Sequence, residues 1–164
     1  IGAGSTDPAA PRSKHFDCLV AGRITRMPPG NSLQPDLLPM QETRTASIGL
    51  NEAGLVVVRI RNGAHQTLAD AQDNLAACLE ETAGHRRPLL IDIRGAQPLD
   101  ADVRHHYSGR TLVEGFSALA LLIESSPLGI MMGNVYFRIA RPGIPTQLFL
   151  EEARAIEWLS GHLV

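Results

Sequence analysis

Between positions 92 and 110 the sequence has its densest run of side chains capable of chemistry: Asp92, Arg94, Asp100, Asp102, Arg104, His105, His106, Tyr107, Ser108 and Arg110. Carboxylates, imidazoles and guanidiniums this close together could support acid–base work. No nucleophile motif frames them. G-x-S-x-G is absent, and Ser108-Gly109 stands without the preceding glycine. Asp102 and His106 are four residues apart and share a helical face, but two such side chains hold a metal only with a third ligand. His105 points about 100° away from His106 on a regular helix and cannot chelate with it. HExxH is absent too, so a weak ion pair is the better account of Asp102 and His106. Phosphate loops are also missing: no G-x-x-x-x-G-K-[ST] occurs, and Gly2-x-Gly4 lacks its third glycine and a preceding strand. No cofactor and no metal is therefore expected. The plainer account of the whole stretch is a solvated polar helix with local ion pairs.

The elements that must position these residues follow from periodicity. Ala46–Leu50, a turn at Gly54, and Leu55–Ile60 read as strand, turn, strand, and the continuous apolar run of the second suits a strand covered on both faces. Thr67 with Asp70 three residues later predicts a capped helix start, and Leu68, Ala71, Leu75, Cys78, Leu79 and Thr82 form its apolar stripe, closed by Gly84. Pro88–Ile93 is a second buried strand, so the polar stretch begins at the carboxyl end of a central strand, where open α/β sheets bind ligands. A polar, uneven helix is expected over Leu99–Leu112 and a third buried strand over Phe116–Ile123. Ser125 and Ser126 cap a further helix with Pro127 in its first turn and Leu128, Met131, Val135 and Ile139 on its buried face. Thr146–Leu150 is a short fourth strand. A last helix starts at Glu151 and Glu152, carries Ala153, Ile156 and Leu159 as its stripe, and stops at Gly161. The fold class is α/β: four βα units around a mostly parallel sheet, with one leading antiparallel edge strand.

Residues 1–44 read differently. Six of the 11 prolines lie in the first 40 residues, and no period lasts beyond the short Phe16–Val20 piece. They are expected to form an irregular extension, dispensable for folding, that docks at most a few apolar side chains such as Phe16, Leu19, Leu37 and Leu38. The regular domain is placed at 45–164.

Composition narrows the partners. The chain has 164 residues, 44% of them hydrophobic, and a formal charge of −2, which suits one soluble domain and excludes a polybasic nucleic-acid binder. Aromatics at 4% argue against base-stacking surfaces. Cys18 and Cys78 stand far apart without CxxC spacing, and Cys78 on a helical apolar face is expected to be a buried, inert thiol. No apolar run is long enough for a membrane span and no signal pattern opens the chain, so the cytoplasm is the expected compartment.

Four βα units over residues 45–164 after a hairpin strand, the Pro88–Ile93 strand, and the Leu99-Asp100-Ala101 that follows resemble the STAS domain of anti-sigma-factor antagonists. The stretches Tyr136–Arg141 and Trp158-Leu159 are similar to small, uncharacterised bacterial STAS-like proteins. The resemblance implies a regulatory module that binds a protein partner near the start of the helix after Asp100. In STAS regulators an Asp-Ser pair opens that helix, and phosphorylation of the Ser blocks binding. Here Asp100 matches, but Ala101 stands where the Ser belongs, and a methyl group accepts no phosphate.

The expectation is a non-enzymatic binding or regulatory module that recognises a protein partner or small ligand through Asp92, Arg94, Asp100, Arg104, His105, His106, Tyr107 and Arg110. Two alternatives stand beside it. One is a small enzyme using Asp92, Arg94, His105 or His106, which should enclose them in a concave site with shifted pKa values. The other is an apolar-ligand carrier, which needs a cavity. Gly129 and Gly133, four apart beside Met131 and Met132, read first as close packing of their helix on the sheet and second as the face of a homodimer.

Overall fold

A computed structural model describes residues 1, 39–140 and 143–164. The chain divides into two units, 1–33 and 34–164, and the elements below belong to the second. In chain order they are β1 (Gln41–Glu42), β2 (Ala46–Leu50), β3 (Val56–Ile60), α1 (Leu68–Thr82), β4 (Arg87–Asp92), α2 (Ala101–Tyr107), α3 (Arg110–Gly115), β5 (Phe116–Leu122), α4 (Pro127–Ala140), β6 (Thr146–Phe149) and α5 (Glu152–Ser160). This is the expected α/β class.

The six strands lie side by side in chain order. β1, β2 and β3 pair antiparallel, and β3 to β6 pair parallel, with Val58 opposite Ile91 and Ile91 opposite Leu121. The connecting helices α1 to α4 all lie on one face of the sheet, as parallel crossovers of a single hand between neighbouring strands require. Their buried side chains, among them Leu75, Cys78, Val103, Leu112, Met132 and Tyr136, pack on Ile48, Val58, Leu89, Leu119 and Leu121. Alternation along the strands sends Val57, Leu90, Ala120 and Leu122 to the other face. There Ala155 and Leu159 of α5 cover them.

Local signals explain the elements. Thr67 and Asp70 form the expected capping box: the Asp70 carboxylate accepts the Thr67 N–H at 2.7 Å, and Thr67 Oγ1 accepts the Asp70 N–H at 3.4 Å. α1 ends with Ala83 at φ 49° ahead of Gly84 at φ 80°. The Ser126 hydroxyl accepts the Gly129 N–H at 3.0 Å and caps α4.

Three expectations are corrected. The boundary at residue 44 is too late: β1 pairs with β2, Arg44 pairs with Asp70, and Thr43 Oγ1 donates to Asn74 Oδ1 at 2.6 Å. These polar contacts, invisible to apolar periodicity, tie residues 41–44 to the domain. Phe16, Cys18, Leu19, Leu37 and Leu38 lie outside the described residues. The expected helix over Leu99–Leu112 is two helices, broken at Ser108-Gly109, where Gly109 is the non-helical N-cap of α3. Finally, α4 buries Met132 and Tyr136 rather than Leu128 and Met131, which are 57% and 51% exposed. Gly133 fixes that rotation, because a Cβ there would come within 2.9 Å of Ile123 Cγ2.

Candidate functional site

The polar stretch does not form one site, because the sheet divides it. Asp92 ends β4 pointing to the α5 face. Its carboxylate accepts from Arg94 Nε at 2.9 Å and lies 3.4 Å from Arg59 Nη1, while Glu152 at the start of α5 holds Arg59 at 2.5 Å. Arg94 also lies 3.9 Å from Glu152. The two acids and two bases thus alternate in a partly buried network that clamps α5 to the strand ends. Both carboxylates are taken up by guanidiniums. Arg59 and Glu152 were not singled out by the sequence, since they are 93 residues apart.

On the opposite face, α2 presents the other candidates. Asp100 precedes it and pairs with His65 at 3.0 Å. The anticipated Asp102–His106 pair does not form: Asp102 Oδ1 accepts the Val103 N–H at 2.8 Å instead, the helix-terminal role open to a short acidic side chain. His106 is half-buried, and its Nε2 meets no hydrogen-bond partner among the described residues. Arg110 is exposed at the start of α3. The loop leading to α2 is laced to the loop after β3: Gly63 N–H donates to the Gly95 carbonyl at 2.7 Å and Gln97 Nε2 to the Gly63 carbonyl at 3.0 Å. Gly95 sits at φ 70°, against Asn62.

Tyr107 is a correction. It turns inward, and its hydroxyl donates to Gln66 Oε1 at 2.8 Å. Gln66 Oε1 also accepts from Asn74 Nδ2 at 3.2 Å, and Gln66 Nε2 reaches the Tyr136 hydroxyl at 3.4 Å. Burial pushes both phenols above their ordinary pKa, so they remain neutral hydroxyls, Tyr107 donating and Tyr136 accepting. These groups close one end of a cavity of about 50 Å³ lined by Val58, Leu89, Leu119, Leu121 and Cys78. Small-molecule pockets start at about 300 Å³. The Cys78 thiol is buried and free, as expected, and desolvation pushes its pKa up to about 12.

The candidates that stay exposed meet a groove between α2 and α4. Ala101, Arg104, His105 and Ser108 line one wall and Val135 and Arg138 the other, around about 440 Å³. The first four recur at helical spacing on α2. Arg104 is held by the Leu99 carbonyl. Among the described residues no carboxylate lines the groove. Along its α4 rim, Leu128 and Met131 continue the line of Val135 and Arg138, so an exposed apolar stripe borders a basic trough. Of the anticipated residues, Arg104 and His105 meet here. Arg138 was missed, although its spacing of seven from Met131 places it on the same stripe.

Gly129 and Gly133 serve packing: Gly129 lies against the Glu124 carbonyl and Gly133 against Ile123. Among the described residues no helix is long and apolar enough to cross a membrane, and no group of three acidic, His or Cys side chains could hold a metal.

No curated protein and no solved structure matches the chain. The model of one family, a domain of unknown function (DUF7793), matches residues 50–163, from the end of β2 through α5. The groove, the ion-pair network and the cavity therefore all fall within the matched domain, and the chain belongs to the DUF7793 family.

Proposed function

We propose that this protein is a non-enzymatic binding module on a STAS-like domain, and that its α2–α4 groove takes an acidic segment of a protein partner. One observation carries this reading: the exposed Leu128 and Met131, continued by the half-buried Val135, border a trough that holds Arg104, His105 and Arg138 and, among the described residues, no carboxylate. An amphipathic segment with acidic residues beside apolar ones complements both halves. The groove opens by the helix that the STAS resemblance points to, and Ala101 in its wall leaves this contact without the hydroxyl of the phosphorylated STAS regulators. The acid–base groups support a binding role as well. Asp92 is neutralised by Arg59 and Arg94, and the sheet separates it from His105 and His106. A cavity of about 50 Å³ is too small for a carried ligand of ordinary size.

A photo-crosslinking amino acid at Met131, with Asp73 on α1 as the control position, tests this in cells. The captured segment should be acidic, and Arg104→Glu with Arg138→Glu should abolish capture while circular dichroism stays unchanged. Capture of a basic segment, or capture that survives both charge reversals, overturns the reading.

A further inference from the structure

The two edges of the sheet differ in a way that points to a partner. At the β1 edge Glu42 pairs with Arg61 at 2.7 Å, and charge of this kind keeps open edges from pairing. At the β6 edge, Thr146–Phe149 and the following Leu150 carry no charge. The Pro145 and Phe149 carbonyls accept from the N–H groups of Leu119 and Ile123. The backbone groups of Thr146 and Leu148 therefore face outward by alternation, and no described strand pairs with that side.

Apolar surface flanks the same edge. Leu150 is 55% and Ile130 49% exposed. α4 turns Met132, Gly133 and Tyr136 to the sheet and Val135 and Arg138 to the α2 groove. At about 100° per residue, Ile130 and Phe137 fall on its other flank, toward β6. Leu148 Cδ2 would lie 3.4 Å from a Cβ on Gly133, which places α4 directly over the edge strand.

We propose that the β6 edge pairs with the β6 edge of a second copy of this chain, antiparallel about a two-fold axis at Leu148, so that two sheets become one. A two-fold contact sets each surface against itself. The uncharged β6 edge can meet itself without repulsion, whereas the basic α2–α4 groove cannot. In this register Leu148 faces its own equivalent and Thr146 faces Leu150, while Ile130 and Phe137 from each copy close over the seam. The strand is short, so the interface is small and the dimer depends on concentration. This contact leaves the groove open and does not rest on the function proposed for it.

Sedimentation velocity on the full chain, from micromolar to sub-millimolar, tests the pairing. The wild type should move from the 17.7 kDa of one chain toward twice that mass. Gln147→Lys with Leu150→Lys alters two exposed positions and should hold the protein monomeric with an unchanged circular dichroism spectrum. Ile130→Glu should do the same from α4, and Met131→Glu on the opposite flank should dimerise like the wild type. A wild type that stays monomeric throughout, a dimer that survives both edge variants, or one dissolved by Met131→Glu alone overturns the proposal.

Discussion

Replacing Asp70 by Ala should weaken the domain at a point where three segments meet. The carboxylate accepts the Thr67 N–H at 2.7 Å and the Thr67 hydroxyl at 2.5 Å, and it pairs with Arg44. Asp70 is 5% exposed, so water cannot fully replace it. Loss of a helix cap of this kind costs about 1–2 kcal/mol. The Arg44 side chain is 63% exposed and contributes as a surface ion pair does, which is little. For a domain of this size the expected drop in Tm is about 3–8 °C. The pH dependence carries the sign. The Arg44 guanidinium and the Thr67 donors hold the Asp70 carboxyl well below its ordinary 3.8. Its contribution is therefore complete at neutral pH and is lost as pH falls through that value and below. Denaturant melts of the wild type and of Asp70→Asn, from neutral pH to about pH 3, should show the stability gap narrowing as acid is added. A Tm of Asp70→Ala equal to the wild type, or a gap that widens in acid, refutes the reasoning.

Other outcomes follow from the same geometry. A chain beginning at Thr45 should melt below one beginning at Pro39, because it lacks β1 and the contacts of Thr43 and Arg44 with α1. Tyr107→Phe should cost about 1 kcal/mol in urea unfolding by leaving Gln66 Oε1 one donor short, and Tyr107→Ala about 3 kcal/mol or more through the cavity it opens. Gly95→Ala should lower Tm, since the residue sits at φ 70° and a Cβ would lie 2.2 Å from Asn62 Oδ1. Cys78 should resist a thiol reagent in the native protein and react at once in denaturant, given its burial and a pKa of about 12.

Element types were legible where a single physical signal dominates. The apolar runs of β3, β4 and β5 and the Thr67–Asp70 capping pair left little choice, and strand–helix alternation then dictated the parallel sheet. Helix α4 was harder for a stated reason. It is apolar on several sides, with Leu128, Ile130, Met131, Met132, Val135, Tyr136 and Phe137, so periodicity alone selects no face. The deciding residue was Gly133, whose missing side chain lets the helix settle on Ile123. The polar stretch misled because closeness in sequence is not closeness across a sheet. Asp92 and Arg94 leave β4 on the α5 side, whereas ten residues later the chain is packed on the other. The groove needed Arg138, which only the tertiary fold brings to Arg104.

The unequal covering of the sheet also bears on synthesis. Helices α1 to α4 are each made between the strands they cross, so their face can close progressively as the chain emerges. Among the described residues the opposite face has no cover until α5 is made, after β6. Until then Val57, Leu90, Ala120 and Leu122 form a wet apolar surface on a nearly finished sheet, the kind of surface that folding helpers bind and that aggregates when left alone. A chain ending between β6 and α5 would keep that face open, and the pairing of Glu152 with Arg59 is the latch that closes it.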